Sequence, residues 1–255
     1  MRDNSFFTET SRTVQLKKRV ICFGDSNTYG VVAKWQQDGK PSDRYNEITR
    51  WPRVMQSCLG KKWEAIEEGM PGRTTIYSNI SEDEDRHNTE ADPSVGINYL
   101  LPCLLSHWPY NEVILALGVN DLQVNVHKEP VTEQELYNGM RKLAMVVLSM
   151  PRTCEEGWNR HLYLMAPAPV AQAEGRLEVT EAYGGERGIA LSRSFPGIYR
   201  KLSEELGCGF IDAGCVAAPD KADGVHYTAE SHIRLGKYVA SRLRSGQEHS
   251  DWKKP

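Results

Sequence analysis

The run Val113-Ile114-Leu115-Ala116-Leu117 is apolar at every position, with Asn111-Glu112 before it and Gly118 after it. A strand with one wet face alternates apolar and polar residues. Five apolar residues in succession instead fit a strand covered on both faces, the habit of parallel sheets wrapped by helices. Segments 19–24, 63–67, 161–165 and 210–212 read as further short strands. Helical spacing fills the gaps. Residues 51–59 carry Pro52 in the first turn and Gly60 at the stop. Residues 97–105 repeat apolar positions at helical intervals, and 193–206 and 228–243 read as helices too. Residues 132–150 open on Thr132 with Glu135 three positions on, a capping box, and set Leu136, Met140, Leu143 and Val147 on one face. Strands alternating with helices, with no linker-like change of composition and no internal repeat, predict one α/β domain on a parallel sheet. Its expected span is 19–244, between a polar arm at 1–18 and a polar tail at 245–255. The polar, glycine-containing stretch 172–188 reads as an excursion over the surface, and the acidic run 82–85 as a solvated loop or helix face.

Composition removes several function classes. A formal net charge of -3 disfavours the basic face of a nucleic-acid binder. No run of about 18 apolar residues exists, so no membrane-spanning helix is expected. The first seventeen residues hold no apolar run suited to a secretory signal, which makes the cytoplasm the expected location. Cys22, Cys58, Cys103, Cys154, Cys208 and Cys215 form no C-x-x-C and read as free thiols of a reducing compartment. Without secretion, the sequon Asn79-Ile80-Ser81 is a coincidence.

The chemistry lies in two distant blocks. Phe23-Gly24-Asp25-Ser26 ends the first strand, and Asp223-Gly224-Val225-His226 follows the last. A serine hydroxyl is a weak nucleophile at neutral pH and needs an imidazole to take its proton. The imidazole in turn needs an acceptor that holds its tautomer and stabilises the imidazolium. In an open parallel sheet, ligands bind beyond the carboxyl ends of the strands. Ser26, the turn 69–72, the segment 118–121 and His226 all fall at that rim.

Gly24-Asp25-Ser26, the glycine turn 69–72, Gly118-Val119-Asn120-Asp121 and Asp223-Gly224-Val225-His226 resemble, in order, the four blocks of the SGNH (GDSL) hydrolase superfamily. The resemblance runs from residue 20 to about residue 230. Arg50-Trp51-Pro52 and Glu67-Glu68-Gly69-Met70-Pro71-Gly72-Arg73-Thr74-Thr75 further resemble its arylesterase/acyltransferase branch, bacterial enzymes of short acyl esters. It implies a three-layer α/β/α sandwich around a five-stranded parallel sheet, flavodoxin-like in kind. It implies Ser26 as nucleophile, His226 as general base and then acid, and Asp223 as the residue orienting His226. The implied oxyanion donors are the Ser26 and Gly72 backbone N–H groups and the Asn120 amide.

Asn27 departs from the family name, which has leucine there; the position takes no part in proton transfer, so the departure bears on pocket detail. Asp25 reads as a loop brace. Arg73 reads either as a brace for Glu67 or Glu68 or as a surface residue. Trp35, Leu122 and Val124 within 122–126, and Pro167 and Val170 within 167–170, are candidate pocket walls. No H-E-x-x-H occurs and no histidines pair at ligand spacing, so neither a metal nor another cofactor is expected.

The expected function is hydrolysis of short-chain, acetyl-like esters, aryl esters among them, through an acyl-enzyme, with acyl transfer to alcohols as a further capacity. The expected partner is a small-molecule ester, and the resemblance implies a homo-oligomer. A carbohydrate O-acetylesterase or an acyl thioesterase would use the same triad. A non-catalytic flavodoxin-like module could use 24–30 as a phosphate cradle, but that loop lacks both G-x-x-x-x-G-K-[ST] and G-x-G-x-x-G. A catalytically dead scaffold would not need the triad and oxyanion residues intact.

Overall fold

The computed structural model describes residues 17–33, 43–78, 92, 94–127, 129–150 and 161–251. Five parallel strands form the sheet: β1 (Lys18–Gly24), β2 (Trp63–Gly69), β3 (Glu112–Ala116), β4 (His161–Ala166) and β5 (Gly209–Asp212). Their order is β2-β1-β3-β4-β5. This is the flavodoxin-type order, in which the chain turns outward in both directions from its first strand and opens a crevice there. The expected five-stranded α/β architecture is the observed one.

Alternate residues of each strand feed opposite layers. Ile21, Phe23, Val113, Leu115, Leu162 and Leu164 pack against α3 (Gly96–Ser106), α4 (Glu133–Ser149) and α7 (Phe195–Leu206). Val20, Cys22, Ile114, Tyr163, Met165 and Ile211 face α2 (Trp51–Leu59) and α8 (Ala229–Asp251). Val113, Ile114 and Leu115 are fully buried, as the unbroken apolar run requires. Truncating Leu115 to alanine would cost about 2–5 kcal/mol by the usual cavity penalty.

Local signals explain the ends of the elements. Thr132 Oγ1 accepts from Glu135 N, and the Glu135 carboxylate accepts from Thr132 N at 2.8 Å, closing the capping box of α4. Thr228 caps α8 through Ser231 N.

The stretch 172–188 departs from expectation. It holds a short helix, α5 (Leu177–Ala182), and the start of another, α6 (Gly185–Ser192). Gly184 and Gly185, at φ of 84° and 59°, make the left-handed corner between them. A glycine pair among polar residues looks like a loop in sequence, whereas here it joins two helices each too short to show a periodic face. α7 accordingly starts at Phe195, and α8 continues past residue 244 to Asp251. The acidic run 82–85, the sequon at Asn79 and Cys154 lie outside the described residues. The described cysteines named as free thiols are Cys22, Cys58, Cys103, Cys208 and Cys215.

Candidate active site

β1 runs straight into a one-turn helix, α1 (Ser26–Tyr29), capped by the Asp25 carboxylate, whose Oδ1 accepts from Asn27 N at 2.8 Å. The turn is packed too closely for side chains on either flank. A Cβ on Gly24 would lie 2.1 Å from Thr28 Oγ1, and one on Gly69 would lie 2.1 Å from Tyr29 N. Ser26 is therefore held at the carboxyl end of β1, and is itself 3% exposed. Asp25 does brace the turn. Burial lifts its pKa to about 6, against the pull of the Asn27 N–H and the nearby His226 and Arg73.

His226 sits in a loop whose own hydrogen bonds define it. Its Nδ1 lies 2.6 Å from Asp223 Oδ2, and Asp223 Oδ1 accepts from the N–H groups of Val225 and His226, each at 2.9 Å. Burial alone would raise the Asp223 pKa. The hydrogen bond and charge of His226, with the two backbone donors, outweigh it and hold the carboxylate below its ordinary range. Asp223 thus stays ionised at neutral pH, and Nε2 is left as the ring nitrogen available to a substrate or nucleophile. Gly224 is required here: its φ is +71° and an added Cβ would stand 2.0 Å from Ala171 O.

Asn27 joins the two blocks. Its Nδ2 donates to Val225 O at 3.2 Å, and its Oδ1 accepts from Tyr227 N at 2.9 Å. The residue after Ser26 therefore grips the residues on either side of His226. Among the described residues, the Ser26 hydroxyl makes no hydrogen bond to the imidazole; such contacts are commonly loose in a free enzyme and tighten with substrate bound.

Asn120 lies in a 3₁₀ turn (Val119–Leu122) beyond β3 and is 1% exposed. Its Nδ2 donates one hydrogen to Arg73 O at 3.0 Å, and a primary amide has a second to give. Its Oδ1 accepts from Gln123 Nε2 at 2.7 Å and from the Tyr183 hydroxyl at 3.3 Å. These two donors fix which way the amide faces. The neighbouring Asp121 accepts from Thr75 N at 2.8 Å and Thr75 Oγ1 at 2.6 Å, tying the segment after Gly72 to the 3₁₀ turn beyond β3. Burial lifts the Asp121 pKa to about 7.

Gly72 is the third residue of the turn 70–73, which Arg73 N closes onto Met70 O at 3.1 Å. Its φ is +77° and no heavy atom lies within 4 Å of an added Cβ. Glycine is thus required by the left-handed backbone of a Pro-Gly turn, not by any neighbour that a side chain would meet.

Arg73 is not at the surface; of the two acidic neighbours it braces Glu68, through that residue's backbone carbonyl, and not Glu67. It is buried, its Nη1 donates to Gly24 O at 3.0 Å and Glu68 O at 2.5 Å, and its guanidinium lies over Phe23 at 4.4 Å. Glu67 points to the opposite face. It accepts from Arg50 at 2.8 and 3.1 Å and from Arg53 at 2.7 Å. The Arg50 stem packs against Gly30, the left-handed cap of α1. The motifs around Arg50 and Glu67 are thus an ion-paired buttress under the serine turn.

Leu122 and Val124 line a cavity of about 280 Å³, together with Gln123, His127, Arg187 and Leu191. Ser26, Asn120 and His226 do not line it, though two of its lining residues adjoin Asn120: Leu122 shares its short turn and Gln123 bonds its Oδ1. Pro167 and Val170 are buried and do not line it; Val170 belongs to the core, with its N–H on Ser192 Oγ at 3.0 Å. Trp35 lies outside the described residues.

Glu68, Cys103 and His107 have potential metal-ligating atoms within 4.8 Å of one another. His107 Nε2 already pairs with Glu68 Oε1 at 2.6 Å, and burial pushes the Cys103 thiol up to about 12. The buried Arg73 cation acts on both Glu68 and Cys103, which disfavours a second cation. The group carries no metal assignment.

Fold and rim together place the chain among the SGNH hydrolases, enzymes that cleave carboxylic esters. The model of the GDSL-like Lipase/Acylhydrolase family matches residues 22–233, and the chain belongs to that family. It is similar to a carbohydrate acetylesterase from Sinorhizobium meliloti at 32% identity, over 90% of this chain and 99% of that one, with a TM-score of 0.75. It is also similar to the aryl esterase of M. smegmatis at 30% identity, over 89% of this chain and 99% of that one, again with a TM-score of 0.75. A comparison with curated protein sequences returns no match. No helix among the described residues is long and apolar enough to cross a membrane.

Proposed function

We propose that this chain hydrolyses short-chain, acetyl-like esters, aryl esters among them, through an acyl-enzyme on Ser26. The observation that carries the reading is the 2.6 Å contact between His226 Nδ1 and Asp223 Oδ2, in a loop gripped by the residue next to Ser26.

In the proposed sequence, Ser26 Oγ attacks the ester carbonyl carbon while its proton passes to His226 Nε2. The Ser26 N–H, the Gly72 N–H and the second Asn120 amide hydrogen receive the oxyanion. Collapse breaks the bond to the leaving oxygen, which takes the proton from His226. Water then repeats the cycle in reverse and frees the acid. An alcohol in place of water gives acyl transfer. Asp223 remains a carboxylate throughout, holding the imidazole tautomer and stabilising its cation. No resident cofactor enters these steps.

A second reading, a carbohydrate O-acetylesterase on the same residues, is favoured by the similarity to the S. meliloti enzyme. The two readings share the acyl group and differ in the leaving group. The free thiols support a reducing, cytoplasmic setting, and homo-oligomerisation rests on the family resemblance. The test is a p-nitrophenyl ester series from acetyl to octanoyl, with and without added alcohol, beside an acetylated sugar. Turnover that falls with chain length and disappears in Ser26→Ala supports the proposal. Turnover that persists in Ser26→Ala refutes it, and acetate release confined to the sugar selects the second reading.

A further inference from the structure

The His226 loop is well bonded within itself and to the segment behind it. Asp220 N donates to His226 O at 2.7 Å, Ala171 N donates to Gly224 O at 2.8 Å, and Ala168 N donates to Tyr227 Oη at 2.9 Å. None of these bonds refers the loop to Ser26. Among the described residues, the hydrogen bonds joining 25–30 to 220–227 are the two made by the Asn27 side chain. Asn27 is 6% exposed, so water is not at hand to replace them. Its amide is a planar group with an acceptor and a donor, and it occupies the place a neighbouring peptide would take against Val225 O and Tyr227 N. Its own backbone is anchored by the Asp25 carboxylate and by the close packing of α1 on Gly69.

We propose that Asn27 is a positioning residue that sets the separation between Ser26 and His226 in the ester hydrolysis read above. The inference rests on that reading. Leucine at this position, as in the family name, can fill similar space but can neither accept from Tyr227 N nor donate to Val225 O. The His226 loop of this chain would then be free to drift from Ser26 while its Asp223–His226 contact, internal to the loop, survives. A displacement near 1 Å from reacting geometry is enough to cost about 10²-fold in rate.

The experiment compares wild type, Asn27→Leu and Asn27→Asp on p-nitrophenyl acetate. It also records the downfield proton NMR signal of the imidazole hydrogen shared between His226 and Asp223. In Asn27→Leu, kcat should fall about 10–100-fold, with KM within about threefold and the downfield signal retained. Asn27→Asp keeps the acceptor for Tyr227 N but loses the donor to Val225 O, so its kcat should fall between the two. It carries the test if the leucine variant fails to fold. Wild-type kcat in whichever of these variants folds overturns the proposal. So does loss of the downfield signal along with activity, since that marks collapse of the whole loop. A wild type whose activity is insensitive to Ser26→Ala would instead refute the underlying esterase reading.

Discussion

Asp223 meets His226 twice, through Oδ2 to the ring Nδ1 at 2.6 Å and through Oδ1 to the backbone N–H at 2.9 Å. The carboxylate orients the ring and shapes the turn that carries it. Asp223→Asn would keep the backbone contact, because an amide oxygen still accepts, but it presents an N–H to a ring nitrogen that should donate. The wrong tautomer then faces Ser26. A loss of about 10⁴ in kcat is expected, the size seen when the equivalent exchange is made in a serine protease. Steady-state kinetics with an unchanged circular dichroism spectrum check it; near-normal turnover would remove Asp223 from the proposed triad.

Asn120→Ala should lower kcat by about 10²–10³, the usual effect of deleting one oxyanion donor. Gln123→Leu and Tyr183→Phe probe how the amide is aimed. Each removes one neutral hydrogen bond to Oδ1, at 2.7 Å and 3.3 Å respectively. A neutral bond contributes about 0.5–1.5 kcal/mol, which translates to about 2–10-fold in kcat, with the shorter Gln123 bond at the upper end. Equal kcat in Gln123→Leu and wild type would show that Arg73 O and the Tyr183 hydroxyl suffice to aim the amide.

His232 is fully buried between the rings of Tyr45 and Tyr227, and neither ring nitrogen has a hydrogen-bond partner among the described residues. Burial, with the nearby His226 and Arg50, drops its pKa to about 3. The unfolded histidine titrates near 6.5. Between about pH 6.5 and pH 3 the unfolded chain therefore binds a proton that the folded chain refuses. Stability falls as pH drops through that window and is level above it on this account. His232→Phe removes the effect. The variant should match or exceed wild-type stability at pH 7, and its advantage should widen toward pH 4 in thermal melts. Parallel pH profiles for the two proteins would rule out a refused proton at His232.

Glu67 and Arg50 are both more than nine-tenths buried at their side chains. Burial raises the Glu67 pKa, but the hydrogen bonds and charges of Arg50 and Arg53 reverse the balance and lower it. Glu67→Ala strands the Arg50 cation beneath the serine turn and should cost about 3–5 kcal/mol. Arg44, at 3.6 Å from the same carboxylate and 36% exposed, should cost no more than about 1 kcal/mol when changed to alanine. Urea denaturation of the two variants measures both.

Much of this was legible in the residue order. Strong local codes survive without tertiary knowledge: the unbroken apolar run of β3, the Thr132/Glu135 box, and the Asp-x-x-His turn closed by its own backbone. The features that escaped depend on distant partners. Arg73 follows a turn glycine and reads equally as a brace for an acidic neighbour or as a surface cation; the carbonyls of Gly24 and Glu68 and the Phe23 ring give it a buried berth. Tyr183 sits in a polar stretch with no periodic face, and its hydroxyl matters because two short helices fold back over Asn120. Asn27 stands out in sequence as a departure from the family's leucine. Its meaning needed the position of residues 225 and 227, about two hundred places along the chain.

Arg73 reaches the first strand with its guanidinium and Asn120 with its carbonyl. For protein engineers this makes residues 70–75 a poor cassette, because a transplanted loop would unseat two neighbouring blocks in a single stroke. Directed libraries belong instead at Leu122, Val124, Pro130 and Val131, where the wall beside Gln123 can be recut without disturbing that keystone.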